Sequence, residues 1–187
     1  MNKRLGYGVI TGGGVIGLAA AFVQMLEKIQ LLKTASNTLL CDLNSIFNCS
    51  SVLNAWQSSV FGFPNSLMCI IFFTVFTIVG LAGLADATLP RGFRLSVHAL
   101  SLFVLGFALW FLWQSVYVIG ALCILCIFCF TGLLAVNWAW IRINANDLPI
   151  GRRGRTVTDR LLRSNVDTLA WLTLGAFVAL AMLLQFY

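Results

Sequence analysis

The chain has 187 residues, of which 60% are hydrophobic and only 10% charged, with a formal net charge of +6. Soluble domains run at roughly 45–50% apolar and about 25% charged, and a globule of about 150 residues buries only about 70% of the surface its chain exposes. A water-soluble fold cannot hide this much apolar surface; disordered, collagenous and coiled-coil classes fail on the same numbers, which leaves an integral membrane protein.

Crossing a hydrocarbon core about 30 Å thick takes about 20 helical residues. Five apolar stretches qualify, at 8–25, 67–84, 95–118, 122–141 and 168–187. Strand-type alternation is absent, which argues against a β-barrel. The first stretch follows Met1-Asn2-Lys3-Arg4 and contains Ala19-Ala20-Ala21, as a secretory signal would. Its apolar run is long for a signal and no clear cleavage site closes it, so it reads as a span. Orientation follows from Lys and Arg. With the N-terminus cytoplasmic, the inner segments hold Lys3, Arg4, Arg91, Arg94, Arg142, Arg152, Arg153, Arg155, Arg160 and Arg163, and the outer segments only Lys28 and Lys33. The expected topology therefore has the N-terminus inside, the C-terminus outside, a long outer loop near 27–66 and a short outer turn near Gly120. The basic stretch from Arg152 to Arg163 serves as an anchor on anionic lipid, and no nucleic acid is expected as a partner.

On this topology all six cysteines lie in or near the outer half. The outer side of a bacterial membrane is oxidising, so disulfides persist there. Cys123 and Cys126 form a Cys-x-x-Cys directly after the turn Ile119-Gly120-Ala121. At the first turn of a helix the N-terminus stabilises a thiolate, and a second Cys three residues on lies within disulfide reach. Cys129 extends the run, but an iron–sulfur site wants a fourth Cys in context and a zinc site wants closed tetrahedral ligation, with the lone His98 on another span. No metal is expected. Cys129 lies about 9 Å deeper than Cys123 at about 1.5 Å per residue, and it reads, with Cys69, as a small buried hydrophobe.

Cys41 and Cys49 in the outer loop read alone as a structural staple. Beside a Cys-x-x-Cys on the same face they read as the first half of a relay, in which an outer thiolate attacks the loop pair and two electrons pass to the helix pair. A lipid-soluble quinone is the natural acceptor, because no Gly-x-Gly-x-x-Gly motif for a flavin or nicotinamide is present. Val52, Trp56 and Val60 recur at helical spacing with Leu53 beside them, and Ser50 or Ser51 stands ready to cap. This predicts a short amphipathic helix over 50–60 that lies on the bundle and holds Cys49 over Cys123.

The remaining residues carry simpler expectations. His98 is expected to be a neutral histidine hydrogen-bonded across the bundle, with a proton relay as the functional alternative. Trp110 and Trp113 form an interfacial belt, and Gln114 is set aside as a ligand. Gly12-Gly13-Gly14 permits close helix approach. Asp42 reads as a solvated loop charge; the functional alternative is that it raises the Cys41 thiol's pKa and makes Cys49 the leaving group.

The ordered set Cys41-Asp42-Leu43-Asn44, Cys49-Ser50, Trp56-Gln57, Phe61-Gly62-Phe63-Pro64-Asn65 and Gly120-Ala121-Leu122-Cys123-x-x-Cys126 resembles the vitamin K epoxide reductase family in its bacterial branch, over about residues 5–145. The resemblance implies an all-α integral membrane protein. It would be a four-helix transmembrane bundle around a quinone plus a fifth transmembrane helix, with an extracytoplasmic loop bearing a short amphipathic helix. Residues 1–145 would form the bundle, and 146–187 the basic cytoplasmic loop and fifth helix. It implies a DsbB-like activity in the cell membrane, reoxidising a thioredoxin-fold (DsbA-like) protein and passing electrons to menaquinone or ubiquinone. By position, Cys41 would meet the partner, Cys49 would exchange with Cys123, Cys126 would stand by the quinone and Asn65 would hydrogen-bond a quinone carbonyl. The chain departs from the family pattern in three places. Ala55 stands where some members have Ser or Thr, leaving that hydrogen bond missing or supplied by Asn54. Phe130 replaces the Tyr of the animal enzymes, which leans against vitamin K epoxide as substrate. No thioredoxin-like domain follows the fifth span, so the partner is expected to be a separate protein. The rival readings are a thiol-driven quinone or vitamin K epoxide reductase and a non-catalytic membrane scaffold with a stapled loop.

Overall fold

The computed structural model describes residues 2–33, 39, 41–145, 147, 158, 160–162 and 164–186. Its principal helices are α1 (Lys3–Lys33), α2 (Cys49–Asn54), α3 (Asn65–Leu84), α4 (Arg91–Gln114), α5 (Ile124–Asn144) and α6 (Val166–Phe186). A 3₁₀ turn covers Trp56–Ser59, and a π-helical turn at Ser115–Ile119 prolongs α4. Among the described residues five helices are long and apolar enough to cross a membrane: α1, α3, α4 with its extension, α5 and α6. They match the five stretches expected from hydropathy. Pro64 and Pro90 stand immediately before α3 and α4, where their fixed φ and missing N–H start a helix at no hydrogen-bond cost.

At 31 residues α1 is the longest helix. About 1.5 Å per residue gives it roughly 46 Å, more than the apolar slab needs. Its last two turns therefore rise beside the long loop and carry Glu27, Lys28 and Lys33. α1 is also the central member of the bundle. It packs on α3 along one side and on α5 along the other, α4 packs on α5, and α3 and α4 scarcely meet. The close approach depends on absent side chains. A Cβ on Gly13 would stand 2.8 Å from the Gly132 carbonyl oxygen, and a Cβ on Gly132 would stand 2.6 Å from that of Gly13. Within the glycine run, Gly13 and Gly14 face neighbouring helices while Gly12 faces open space. Ile10, Phe73, Phe76, Val136 and Trp140 fill the core between these contacts.

One end of the bundle is closed by arginines. Arg94 pairs with Asp147 and donates to the Leu89 carbonyl, and Arg4 pairs with Asp86. His98 belongs to this end. It stacks on Trp140 with ring centroids 6.3 Å apart, and its Nδ1 lies 3.5 Å from the Asn144 side-chain nitrogen. α6 is peripheral, with only Met182 buried. It is tied to α5 by Arg142 with Asp167 (2.6 Å) and by Trp138 Nε1, which donates to the Thr168 hydroxyl (3.1 Å). Arg152, Arg153, Arg155 and Arg163 of the expected basic loop lie outside the described residues.

The loop helix differs from the expectation. The stretch 50–60 is not one helix: α2 ends at Asn54, Ala55 is extended (φ −66°, ψ 145°), and the 3₁₀ turn follows. Val52 is fully buried while Trp56 is 68% exposed, so the supposed stripe is split between two faces. The cap is Asn48, whose side chain accepts from the Ser51 N–H, rather than Ser50 or Ser51.

Candidate functional site

The end opposite the arginines carries all six cysteines, and local loop chemistry brings them together. The Asn44 side-chain oxygen accepts from the N–H groups of Ile46 and Phe47, closing an Asx turn. Asp42 is not a solvated charge: its carboxylate accepts from the Leu39 N–H (2.8 Å), the Ser50 N–H (2.9 Å) and the Ser50 hydroxyl (2.6 Å). Burial alone would raise its pKa, but these donors hold it below the ordinary carboxylate range. Such a group stabilises the fold above the unfolded carboxylate pKa and loses that contribution as pH falls through the folded one. Acidification below about pH 4 is therefore expected to speed reduction of the Cys41–Cys49 pair by a small dithiol in the wild type relative to Asp42→Asn. Disulfide reduction followed across pH on both proteins checks this.

The organised loop then pairs with the turn before α5. Phe47 and Leu122 form a parallel bridge, in which Leu122 N–H donates to Ile46 O (2.7 Å) and Asn48 N–H donates to Leu122 O (3.0 Å). The turn itself needs Gly120, whose φ of +73° is unfavourable for a side-chain-bearing residue. The bridge sets Cys49 and Cys123, each one or two residues beyond it, in a single buried cluster at 0% and 1% exposure. Cys41 and Cys49 form a disulfide with Cα atoms 5.7 Å apart, while Cys123 and Cys126 are free thiols. Cys123 is the N-cap of α5, and the Cys126 N–H donates back to its carbonyl (3.0 Å).

Beneath the helix pair is a narrow cavity, with about 60 Å³ of water-accessible space, walled by α1, α3, α4, α5 and the loop. Val104, Phe107, Phe111, Leu112 and Leu133 make it apolar, and Cys126 opens into it. Asn65 lines it as the first residue of α3. Its amide nitrogen donates to the Gln57 carbonyl (2.7 Å), which orients the group and leaves the buried side-chain oxygen without a partner. The second N–H of the Asn65 amide is the donor that an apolar slot of this kind can offer a ring carbonyl, while its unpartnered oxygen, an acceptor, suits a ring hydroxyl. Cys69 and Cys129 are packed in or against the hydrophobic core, as expected, and both also line this cavity. Asn54 is exposed, so it does not replace the missing hydroxyl at Ala55; Ser58 lines the cavity, with its hydroxyl bonded to the Leu53 and Ala55 carbonyls. Gln114 lies outside the lining and takes a bond from Gln57 (3.4 Å).

Three further residues at this site were not singled out from the sequence: Gln24, Lys28 and Ser58. Gln24 is buried on α1, and its Nε2 lies 3.1 Å from Cys126 Sγ and 4.0 Å from Cys123 Sγ. The signal was present as polar residues 24, 27 and 28 at helical spacing near the end of an otherwise apolar span.

The profile of the vitamin K epoxide reductase family matches residues 9–141. The chain belongs to the vitamin K epoxide reductase family. Compared with individual curated proteins, it matches none. Family membership and the two cysteine pairs at one end of a multi-pass bundle make the protein a membrane thiol–disulfide oxidoreductase. At this site the Gln24 amide donates to the sulfur facing the cavity. A bond to a developing thiolate contributes about 1.5–3 kcal/mol. Gln24→Leu is therefore expected to lower kcat by roughly tenfold to a hundredfold while exchange at the loop pair is unchanged. Steady-state rates beside single-turnover loop reduction separate the two.

Proposed function

We propose that the protein oxidises a separate extracytoplasmic thioredoxin-fold dithiol and passes the two electrons to a quinone, sustaining disulfide formation. The observation that carries this reading is the backbone bridge at Leu122, which sets an oxidised loop pair against a reduced helix pair that opens onto the cavity. A partner thiolate attacks Cys41 and the Cys41–Cys49 bond breaks, with Cys49 leaving as thiolate. The partner's second thiol then displaces Cys41, and the partner departs oxidised. Cys49 attacks an oxidised Cys123–Cys126 pair at Cys123 and releases the Cys126 thiolate. Cys41 next attacks Cys49, which restores the loop disulfide and frees Cys123. The helix pair is reoxidised when its two electrons and two protons leave for the acceptor.

A quinone, when bound, supplies the two-electron sink that thiols alone lack. Asn65 would hold its ring oxygen, Gln24 steadies the Cys126 sulfur, and the apolar wall excludes water. The Lys and Arg asymmetry supports an extracytoplasmic position for the cysteine end. Phe130 offers no phenol for an epoxide substrate, which favours a plain quinone. The test is quinone reduction by the purified full chain given a reduced thioredoxin-fold protein and either menadione or decylubiquinone. One quinol per dithiol is expected, and the absence of dithiol-dependent reduction with both quinones overturns the reading.

A further inference from the structure

Gln24 and Lys28 stand one helical turn apart on α1, and both line the cavity. Gln24 is committed to the sulfurs. Lys28 Nζ donates to the Leu53 carbonyl at 2.5 Å, a bond that fixes where the ammonium sits. That carbonyl does not depend on the lysine, because the Ser58 hydroxyl donates to it as well, at 2.6 Å. An ammonium carries three donors, so two remain for a ligand. No carboxylate among the described residues forms an ion pair with it. A half-buried cation facing an apolar cavity without a counter-charge is costly to hold unless negative charge appears there.

We propose that Lys28 is a further binding residue of this cavity, donating to a ring oxygen of the quinone and stabilising negative charge as electrons arrive. This rests on the quinone reading above. The balance needs nothing else. The Cys123–Cys126 S–S bond forms and two S–H bonds break. The two electrons go to the acceptor, and the two thiol protons end on its two oxygens. Lys28 stays protonated throughout and lowers the energy of charge on the oxygen it faces. Asn65 and Lys28 then present an amide and a cation to the same bound ring from α3 and α1.

The experiment measures equilibrium binding of menadione to the full-length protein, together with the rise in melting temperature that menadione produces. It uses the wild type, Lys28→Met, Lys28→Gln and Lys28→Arg. Loss of a hydrogen bond from a charged donor is expected to weaken Kd by about tenfold or more in Lys28→Met, with a matching loss of the thermal shift. Lys28→Gln, which keeps a donor for Leu53, is expected to show the same weakening, and Lys28→Arg to stay within about threefold of wild type. Reduction of the Cys41–Cys49 disulfide by a dithiol without quinone is expected to be the same in all four, as is the melting temperature of the quinone-free proteins. Wild-type affinity in both Lys28→Met and Lys28→Gln overturns the role of the lysine and leaves the quinone reading standing. Binding lost together with the quinone-free melting temperature in both variants marks a structural residue and also overturns it. A wild type that does not bind menadione overturns the lysine proposal and the quinone reading together.

Discussion

Cys123→Ala protein is expected to lose quinone-linked turnover by about a thousandfold or more, yet to complete a single round of partner oxidation. The loop disulfide is intact in this variant, so a reduced partner still finds Cys41–Cys49 to attack. What disappears is the sulfur at the start of α5 that shares a buried cluster with Cys49. With no disulfide within reach, the Cys49 thiolate has nowhere to send its electrons, and the loop pair stays reduced after one exchange. Cys126→Ala is expected to stop turnover at a different point, because Cys123 can still bond to Cys49 but the sulfur at the cavity is gone. Trapping free thiols in membranes after a pulse of reduced partner distinguishes the two. Cys123→Ala should accumulate free Cys41 and Cys49, whereas in Cys126→Ala the Cys123 thiolate can attack Cys49 of the oxidised loop pair, forming a Cys49–Cys123 cross-link and releasing the Cys41 thiolate. Unchanged quinone-linked turnover in Cys123→Ala would remove the helix pair from the electron path.

The second large effect concerns assembly rather than chemistry. Gly132→Ala should destabilise the bundle by about 1–3 kcal/mol, the usual cost of overpacking, and Gly132→Val by more. The added Cβ meets the Gly13 carbonyl oxygen at 2.6 Å, and a backbone atom in the middle of a helix cannot rotate away as a side chain would. α1 and α5 would have to separate, and with them Gln24 from Cys126. Gly12→Ala is the matched control: its Cβ meets nothing within 4 Å, and removing a helix glycine gains roughly 0.5–1 kcal/mol. Thermal unfolding in detergent should therefore rank Gly12→Ala at or above wild type, and Gly132→Ala and Gly132→Val progressively below it. Equal melting temperatures for Gly12→Ala and Gly132→Ala would contradict the close α1–α5 contact.

Some of the site was legible from residue order alone. The Cys-x-x-Cys after a short turn and the separate loop pair are local patterns, while Asn65 is marked only by the family resemblance; each occupies the expected element. The loop was less legible. A helical spacing at Val52, Trp56 and Val60 is equally compatible with a helix that breaks at Ala55 and turns Trp56 outward. Asp42 looked solvated because its three donors come from residues at either side of the disulfide and meet it only once the loop is folded.

The chain order by itself determined the five spans, because an apolar run long enough to cross a bilayer is a property of consecutive residues. It also set out a Cys-x-x-Cys and a separate loop pair, but that the loop pair is the bonded one is seen only in the structure. Only the tertiary structure decided that Gln24, Lys28 and Ser58 share a cavity with Cys126 and Asn65. The spans are apolar nearly all round, so no stripe in the sequence reveals which side of α1 turns inward. That rotation is set by glycine contacts with helices distant in the chain, and with it the identity of the polar groups that face the sulfur.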